Sequence, residues 1–201
     1  MSTVSSAVID LAPPSISVVL AISPSTYQHG DGEHAIPDLS ITATLDASAP
    51  KPVTVQTWAT IFNLDLALKR RNFIAQDISH DAPTNINLEI TKGPKRPGFQ
   101  RKKGSNDDKY YVMLHPGREV IVAEQPLNIV KRTKEDVYVF QAGHKYRLRL
   151  SDEGKNVRTW WWGTTDDVLD EIEGPSKDVS GIEGQGNIVL IVEPVSFTIV
   201  E

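Results

Sequence analysis

Residues 137–162 read VYVFQAGHKYRLRLSDEGKNVRTWWW, and their pattern decides the fold class. Tyr146, Leu148 and Leu150 alternate with Lys145, Arg147 and Arg149. A period of two sends successive side chains to opposite faces, so this is a strand with one buried and one wet face. Gly143 breaks the chain before it, and Asp152-Glu153-Gly154 supplies a turn after it. Three consecutive tryptophans follow. In a strand, Trp160 and Trp162 share one face and Trp161 takes the other.

The alternation recurs along the chain. Ser15–Ser23 is rich in β-branched residues, and Leu39, Ile41, Ala43 and Leu45 alternate with Ser40, Thr42 and Thr44. Val53–Phe62 reads as the next strand, with Trp58 near its centre. Leu64, Leu66 and Leu68 alternate, which predicts a strand over Asn63–Lys69; a short helix over Leu64–Arg71 competes with it. Phe73–Ile78 follows, and then Ile86, Leu88 and Ile90. Tyr110–Leu114 and Glu119–Ala123 flank His115-Pro116-Gly117-Arg118, a turn with Pro second and Gly third, and together they predict a hairpin. Val137–Phe140 adds a strand before Lys145–Leu150. Ile188–Val192 and Val195–Val200 close the chain, bent at Glu193-Pro194. One helix signal stands out: Thr164 caps, Asp167 follows three residues on, and Val168, Leu169 and Ile172 form an apolar stripe. These signals predict an all-β protein, an immunoglobulin-like β-sandwich of roughly ten strands with long loops and one short helix at residues 165–172. Residues 1–14, with Pro13-Pro14, read as a flexible N-terminal arm, and residues 15–201 as a single sandwich domain.

The strand series, the Leu114-His115-Pro116-Gly117 turn and the Gly143-His144-Lys145-Tyr146 strand start resemble immunoglobulin-like sandwiches, a style shared with proteinase-inhibitor-type and arrestin-type domains. Over most of its length the chain also resembles a group of uncharacterised proteins of filamentous fungi, most visibly at Lys92-Gly93-Pro94-Lys95-Arg96-Pro97 and Trp160-Trp161-Trp162. The first resemblance implies the architecture. The second implies no activity.

Composition narrows the classes of function. The chain has no cysteine, which removes disulfides, thiol chemistry and Cys-ligated metal. It has no apolar run of about 18 residues, and its first residues carry Asp10 and no basic patch, so neither a membrane span nor a secretory signal is expected. A cytoplasmic protein is the simplest reading. The net charge of −5 divides unevenly: residues 1–151 carry +3 and residues 152–201 carry −8. A nucleic-acid binder is usually basic, so that partner is unlikely on charge alone.

Three clusters are candidates for function. Trp160, Trp161 and Trp162 either pack in the core or form an exposed platform for a sugar, a peptide or a planar metabolite. The loop from Lys92 to Lys103 carries Lys92, Lys95, Arg96, Arg101, Lys102 and Lys103 with no acid among them, and Phe99 in the middle. It is a solvated spacer, a site for an anionic partner, or a strap that folds onto the acidic segment around Asp166–Glu173. His29, Asp31, Glu33 and His34 bear metal-ligating groups, but their spacing matches no strong metal motif and a glycine-rich surface turn explains them as well. No Gly-x-Ser-x-Gly, His-Glu-x-x-His or phosphate-binding glycine loop occurs. The sequence therefore favours a non-catalytic binding module that recognises a protein or an anionic ligand through its loops, without a cofactor. An enzyme with a tryptophan-lined pocket for a small hydrophobic or aromatic metabolite, and a carbohydrate-binding module, are the alternatives.

Overall fold

An alternating strand is stable only where another layer covers its apolar face. The computed structural model, which describes residues 12–28, 36–86, 96, 98–127 and 140–201, satisfies this with three sheets, a main core and a smaller second cluster. The strands are β1 (Ile16–Ser23), β2 (Thr26–Gln28), β3 (Asp38–Leu45), β4 (Val53–Gln56), β5 (Phe73–Asp77), β6 (Thr84–Ile86), β7 (Tyr111–Leu114), β8 (Glu119–Pro126), β9 (Lys145–Leu150), β10 (Asn156–Val157), β11 (Trp160–Trp162), β12 (Ile188–Val192) and β13 (Val195–Val200). Two one-turn helices, α1 (Leu64–Ala67) and α2 (Thr165–Val168), and a 3-10 turn at Asp108–Tyr110 complete the elements among the described residues. The chain is thus predominantly β, with thirteen strands among the described residues.

The first sheet has the order β10-β12-β1-β3-β8, the second β11-β4-β7 and the third β2-β13-β9-β5-β6. Two strand pairs cross from the first sheet to the third. β1 lies parallel to β12 in one sheet, and their continuations β2 and β13 lie parallel in the other. The crossings fall at Pro24 and at Glu193-Pro194. Proline has no N–H for a ladder, so pairing ends there and the chain can turn into the neighbouring sheet.

The alternation read in the sequence is present in the core. Ile16, Val18, Leu20 and Ile22 of β1, Leu39, Ile41, Ala43 and Leu45 of β3, and Tyr146, Leu148 and Leu150 of β9 are all buried. Phe140, Tyr146 and Phe197 stack and cross edges at the third sheet, with centroids 4.6–5.5 Å apart. On the outer face of the first sheet Val19, Ile121, Val189 and Ile191 remain exposed.

Four expectations need correction. Asn63–Lys69 is no strand: Leu64–Ala67 forms α1, because Leu64, Ala67 and Leu68 can all reach the core from one helical turn. Val53–Phe62 ends as a strand at Gln56, and Trp58 sits in the turns that follow. The turn at Pro116-Gly117 forms, with Gly117 at φ 68°, but it closes no hairpin. Its Gly117 N–H donates to the Leu45 carbonyl at 2.8 Å, docking the turn on the end of β3, so β7 joins β4 while β8 joins β3. The helix expected at 165–172 stops at Val168. Its capping box between Thr164 and Asp167 is present, but Leu169 is already extended and Ile172 is exposed. The Asp170 N–H is taken by the Arg101 carbonyl at 2.7 Å instead of continuing the helix. The strand signals at Leu88, Ile90 and 137–139, and residues 1–11 of the arm, lie outside the described residues.

The two faces of β9 and the packing at Trp160 can be tested by substitution. Leu148→Ala should destabilise by about 2–5 kcal/mol, as deep core truncations do, and Arg147→Ala by clearly less. Gly184 has no room for a side chain: a Cβ there would stand 2.1 Å from the Trp160 ring. Gly184→Ala should therefore cost about 1–3 kcal/mol through overpacking. Urea melts of the three variants check this, and equal losses at Leu148 and Arg147 would refute the face assignment.

Candidate functional site: an aromatic cage on the Trp58 loop

Between β4 and α1 the backbone makes consecutive turns held by local bonds. Thr57 N–H donates to the Tyr110 carbonyl at 2.7 Å, and the Phe62 N–H donates to the Thr60 hydroxyl at 3.1 Å. The buried Thr57 and Thr60 thus fix the loop from below and leave Trp58 half-buried at the surface. Tyr110 ends a short 3-10 turn, Asp108–Tyr110, immediately before β7. Phe99 comes from the basic loop.

These three rings form a box. Trp58 and Tyr110 meet edge to face at 4.9 Å and 80°, Phe99 and Tyr110 at 5.9 Å and 84°, and Trp58 and Phe99 at 5.3 Å and 57°. The Arg96 guanidinium lies inside it, 4.8 Å from the Trp58 ring centre, 4.6 Å from Phe99 and 5.4 Å from Tyr110. Each such contact contributes about 0.5–2 kcal/mol, more as water is excluded. The floor is Asp107, whose side chain is only 7% exposed. Its Oδ1 accepts from Arg96, and its Oδ2 accepts the Gln100 N–H at 2.9 Å. Arg70 rests on Trp58 from another side, at 5.5 Å. Beside the cage an open cleft of about 380 Å³ is lined by Tyr110, Thr57, the start of α1 and residues 122–125 of β8.

Further along the basic loop, Arg101 and Lys103 are engaged in internal contacts. Lys102 and Asp170 form a parallel bridge, with the Lys103 N–H donating to the Asp170 carbonyl at 2.9 Å. The Arg101 guanidinium donates to the Val168 carbonyl at 3.0 Å. Lys103 Nζ reaches Asp166 at 2.9 Å and Glu171 at 2.7 Å. Residues 101–103 therefore form a strap on the acidic segment. Lys102 points to solvent, while Lys92 and Lys95 lie outside the described residues. The contacts act on the acids as expected. The Thr164 N–H holds the Asp167 carboxyl below its ordinary range, the Lys177 N–H does so for Asp170, and Lys103 does so for Glu171. The two acids raise Lys103 in turn.

The tryptophan triplet divides as its spacing predicted, but no ring forms a platform. Trp160, Trp161 and Trp162 are 1%, 5% and 6% exposed. Trp160 and Trp162 pack edge to face at 5.4 Å in the main core. Trp161 packs on the other side with Tyr111, Val168 and Leu169. β11 is shielded because β4 pairs with one edge and residues 182–184 with the other. His29, Asp31, Glu33 and His34 lie outside the described residues, and no group of three metal-ligating side chains occurs among the described ones.

One carboxylate–histidine pair is assembled across strands. His144 Nδ1 lies 2.6 Å from Asp77 Oδ2, and the His80 ring meets His144 edge-on at 5.6 Å. Burial pushes the Asp77 carboxyl up, but hydrogen bonds from the Ser79 N–H and from His144 outweigh it and hold it below the usual range. Ser79 Oγ accepts the Lys145 N–H at 2.8 Å and faces the Lys145 carbonyl, so it is engaged by the backbone rather than by an imidazole. The group pins β5 to the start of β9.

Sequence reading named Arg96 and Phe99 but missed Trp58, Tyr110 and Asp107. A usable signal was present: Asp107-Asp108 follow the basic loop a few residues on, carboxylates that its cations can reach.

If the Arg101 guanidinium helps to hold the strap, Arg101→Ala should cost about 1–3 kcal/mol by leaving the Val168 carbonyl without that donor. Lys103→Ser should cost less, since exposed ion pairs contribute little, and Lys102→Ser should cost nothing measurable. Melts of the three variants test this ranking. Asp167, Asp170 and Glu171 have depressed values in the fold. Their contribution is complete above the ordinary carboxylate range, roughly pH 4, and is lost as pH falls through the depressed values. Amide protection of residues 164–178 should weaken on acidification below about pH 4, before the core opens.

No family model, curated protein or solved structure matches this chain.

Proposed function

We propose that this chain is a non-catalytic intracellular binding module, immunoglobulin-like in style, that takes a protein partner on the loop surface around Trp58. The observation that carries the reading is the half-buried trio of Trp58, Phe99 and Tyr110 closed around a guanidinium and set beside an open cleft. Trp, Tyr and Arg dominate the energetic centres of protein interfaces, in pockets ringed by contacts that exclude water. The absence of cysteine supports an intracellular setting. Kinship with the fungal proteins the chain resembles belongs to the same proposal.

An anionic ligand is the weaker form of this reading. Arg96 is paired with Asp107, Arg101 with carbonyls, and Lys103 with two carboxylates, so their charge is already met within the fold. A metabolite enzyme or a sugar module built on Trp160–Trp162 would need those rings open, and they are buried.

Capture from the native source by immobilised wild type, Trp58→Ser and Lys102→Ser, read beside their melting curves, tests the proposal. A protein retained by wild type and Lys102→Ser but lost from a folded Trp58→Ser is the expected result. Retention by all three, or loss confined to Lys102→Ser, would reject the Trp58 surface, the second outcome in favour of an anionic partner.

A further inference from the structure

We infer that the cage of Trp58, Phe99, Tyr110 and Asp107 is a receptor for an arginine of the partner, and that Arg96 is its internal occupant. The inference rests on the binding-module reading and names the chemistry of that site. Three rings set steeply to one another present their negative faces to a common centre, and the centre is filled by a cation. A box of this form serves a cation of any origin. The rings do not distinguish a side chain of this chain from one offered by a partner.

Asp107 narrows the choice. It is buried, and its two oxygens are met by Arg96 and by the Gln100 N–H. When the Arg96 side chain leaves, a buried carboxylate loses its cation, which is among the costlier changes a fold can make. A replacement must therefore bring both a positive charge and an N–H donor. Neutral side chains fail on the first count, and a quaternary ammonium fails on the second. A guanidinium meets both, and its planar shape matches a slot between rings better than a compact, strongly hydrated ammonium does.

The position of the occupant suits exchange. Arg96 lies at the open side of the cage, with 29% of its side chain exposed to water against 7% for Asp107. Being tethered, it competes at a high effective concentration, so a free arginine binds weakly to the intact protein. A partner overcomes this by adding contacts in the cleft that shares Tyr110 with the cage. Arg96 thus acts as a threshold that only an arginine in a suitable peptide exceeds.

The test uses N-acetylarginine amide as probe, with the full chain in three forms: wild type, Arg96→Ala and Arg96→Ala/Asp107→Asn. The Trp58 indole N–H resonance reports occupancy, and the indoles of Trp160–Trp162 report the fold. The expected result is saturable binding to Arg96→Ala, at least tenfold tighter than to wild type. The same Trp58 resonance should move in both, N-acetyllysine amide should bind more weakly, and Asp107→Asn should reduce binding at least tenfold. N-acetylglutamine amide should not bind. If Arg96→Ala does not fold, Arg96→Gln replaces it, and wild type at high probe concentration still gives the Trp58 shift. Absence of that shift in every folded form, or equal binding of the glutamine probe, overturns the inference and leaves Arg96 as a structural pin. Should that happen while Trp58-dependent capture persists, the module reading survives with a different ligand chemistry. Loss of both removes it as well.

Discussion

Everything in this fold depends on two strand pairs that belong to two sheets at once. β1 and β12 run parallel in the first sheet, turn at Pro24 and Glu193-Pro194, and continue side by side as β2 and β13 in the third. Sheets that merely face each other are joined by side-chain packing. Here the joint is also covalent, at two neighbouring places, so the angle between the sheets is set by backbone as well as by the core. The parallel pairings follow from this geometry, because a bent strand from each end of the chain must pass the same corner in the same direction. They also bring residues near the N-terminus against residues 188–200, a contact that closes over most of the chain length. Such long-range pairing is slow to form, since the closure entropy precedes the reward.

That frame fixes where the loops can act. The small sheet β11-β4-β7 closes the core and carries Trp160 and Trp162 inward and Trp161 outward. Its outward side packs against Val168 and Leu169, at the end of α2, and residues 101–103 of the basic loop bond to the acidic segment that follows. Stacking these layers leaves Trp58, in the turns that leave β4, at the rim of the strap. Tyr110 reaches the same place because it directly precedes β7, the partner of β4. Two adjacent strands therefore deliver two of the three rings, and the strap delivers the third together with the arginine.

Legibility in the sequence tracked how local the deciding forces were. Tyr146, Leu148 and Leu150 declared their face because burial and period agree within one strand. The Thr164–Asp167 capping box was legible for the same reason, being complete within four residues. The extent of that helix was not, because its end is dictated by Arg101, far away in sequence, which takes the Asp170 N–H. The hairpin at Pro116-Gly117 misled in a similar way: the turn chemistry was right, but the Leu45 carbonyl decided which strands the turn would join. Leu64, Leu66 and Leu68 fitted a strand by period, and only the position of the core selected one helical turn. The cage was the least legible feature, since its members come from three segments and no spacing rule connects them.

The basic loop carries the more general lesson about charge. Six cations in twelve residues invite the reading of an anion site, and that reading treats each charge as available. Availability is set by partners, and the chain supplies its own. Asp107 lies four residues beyond Lys103, and Asp166 and Glu171 are reached by Lys103. At Arg96 and Lys103 an incoming anion would have to displace carboxylates that are already in place. The buried member decides the balance: exposed pairs exchange readily, but a carboxylate with a 7% exposed side chain holds its cation against loss. Asp107 therefore makes the position of the Arg96 guanidinium one that favours positive charge. A site's preference follows from its least solvated charge, and here that charge is negative.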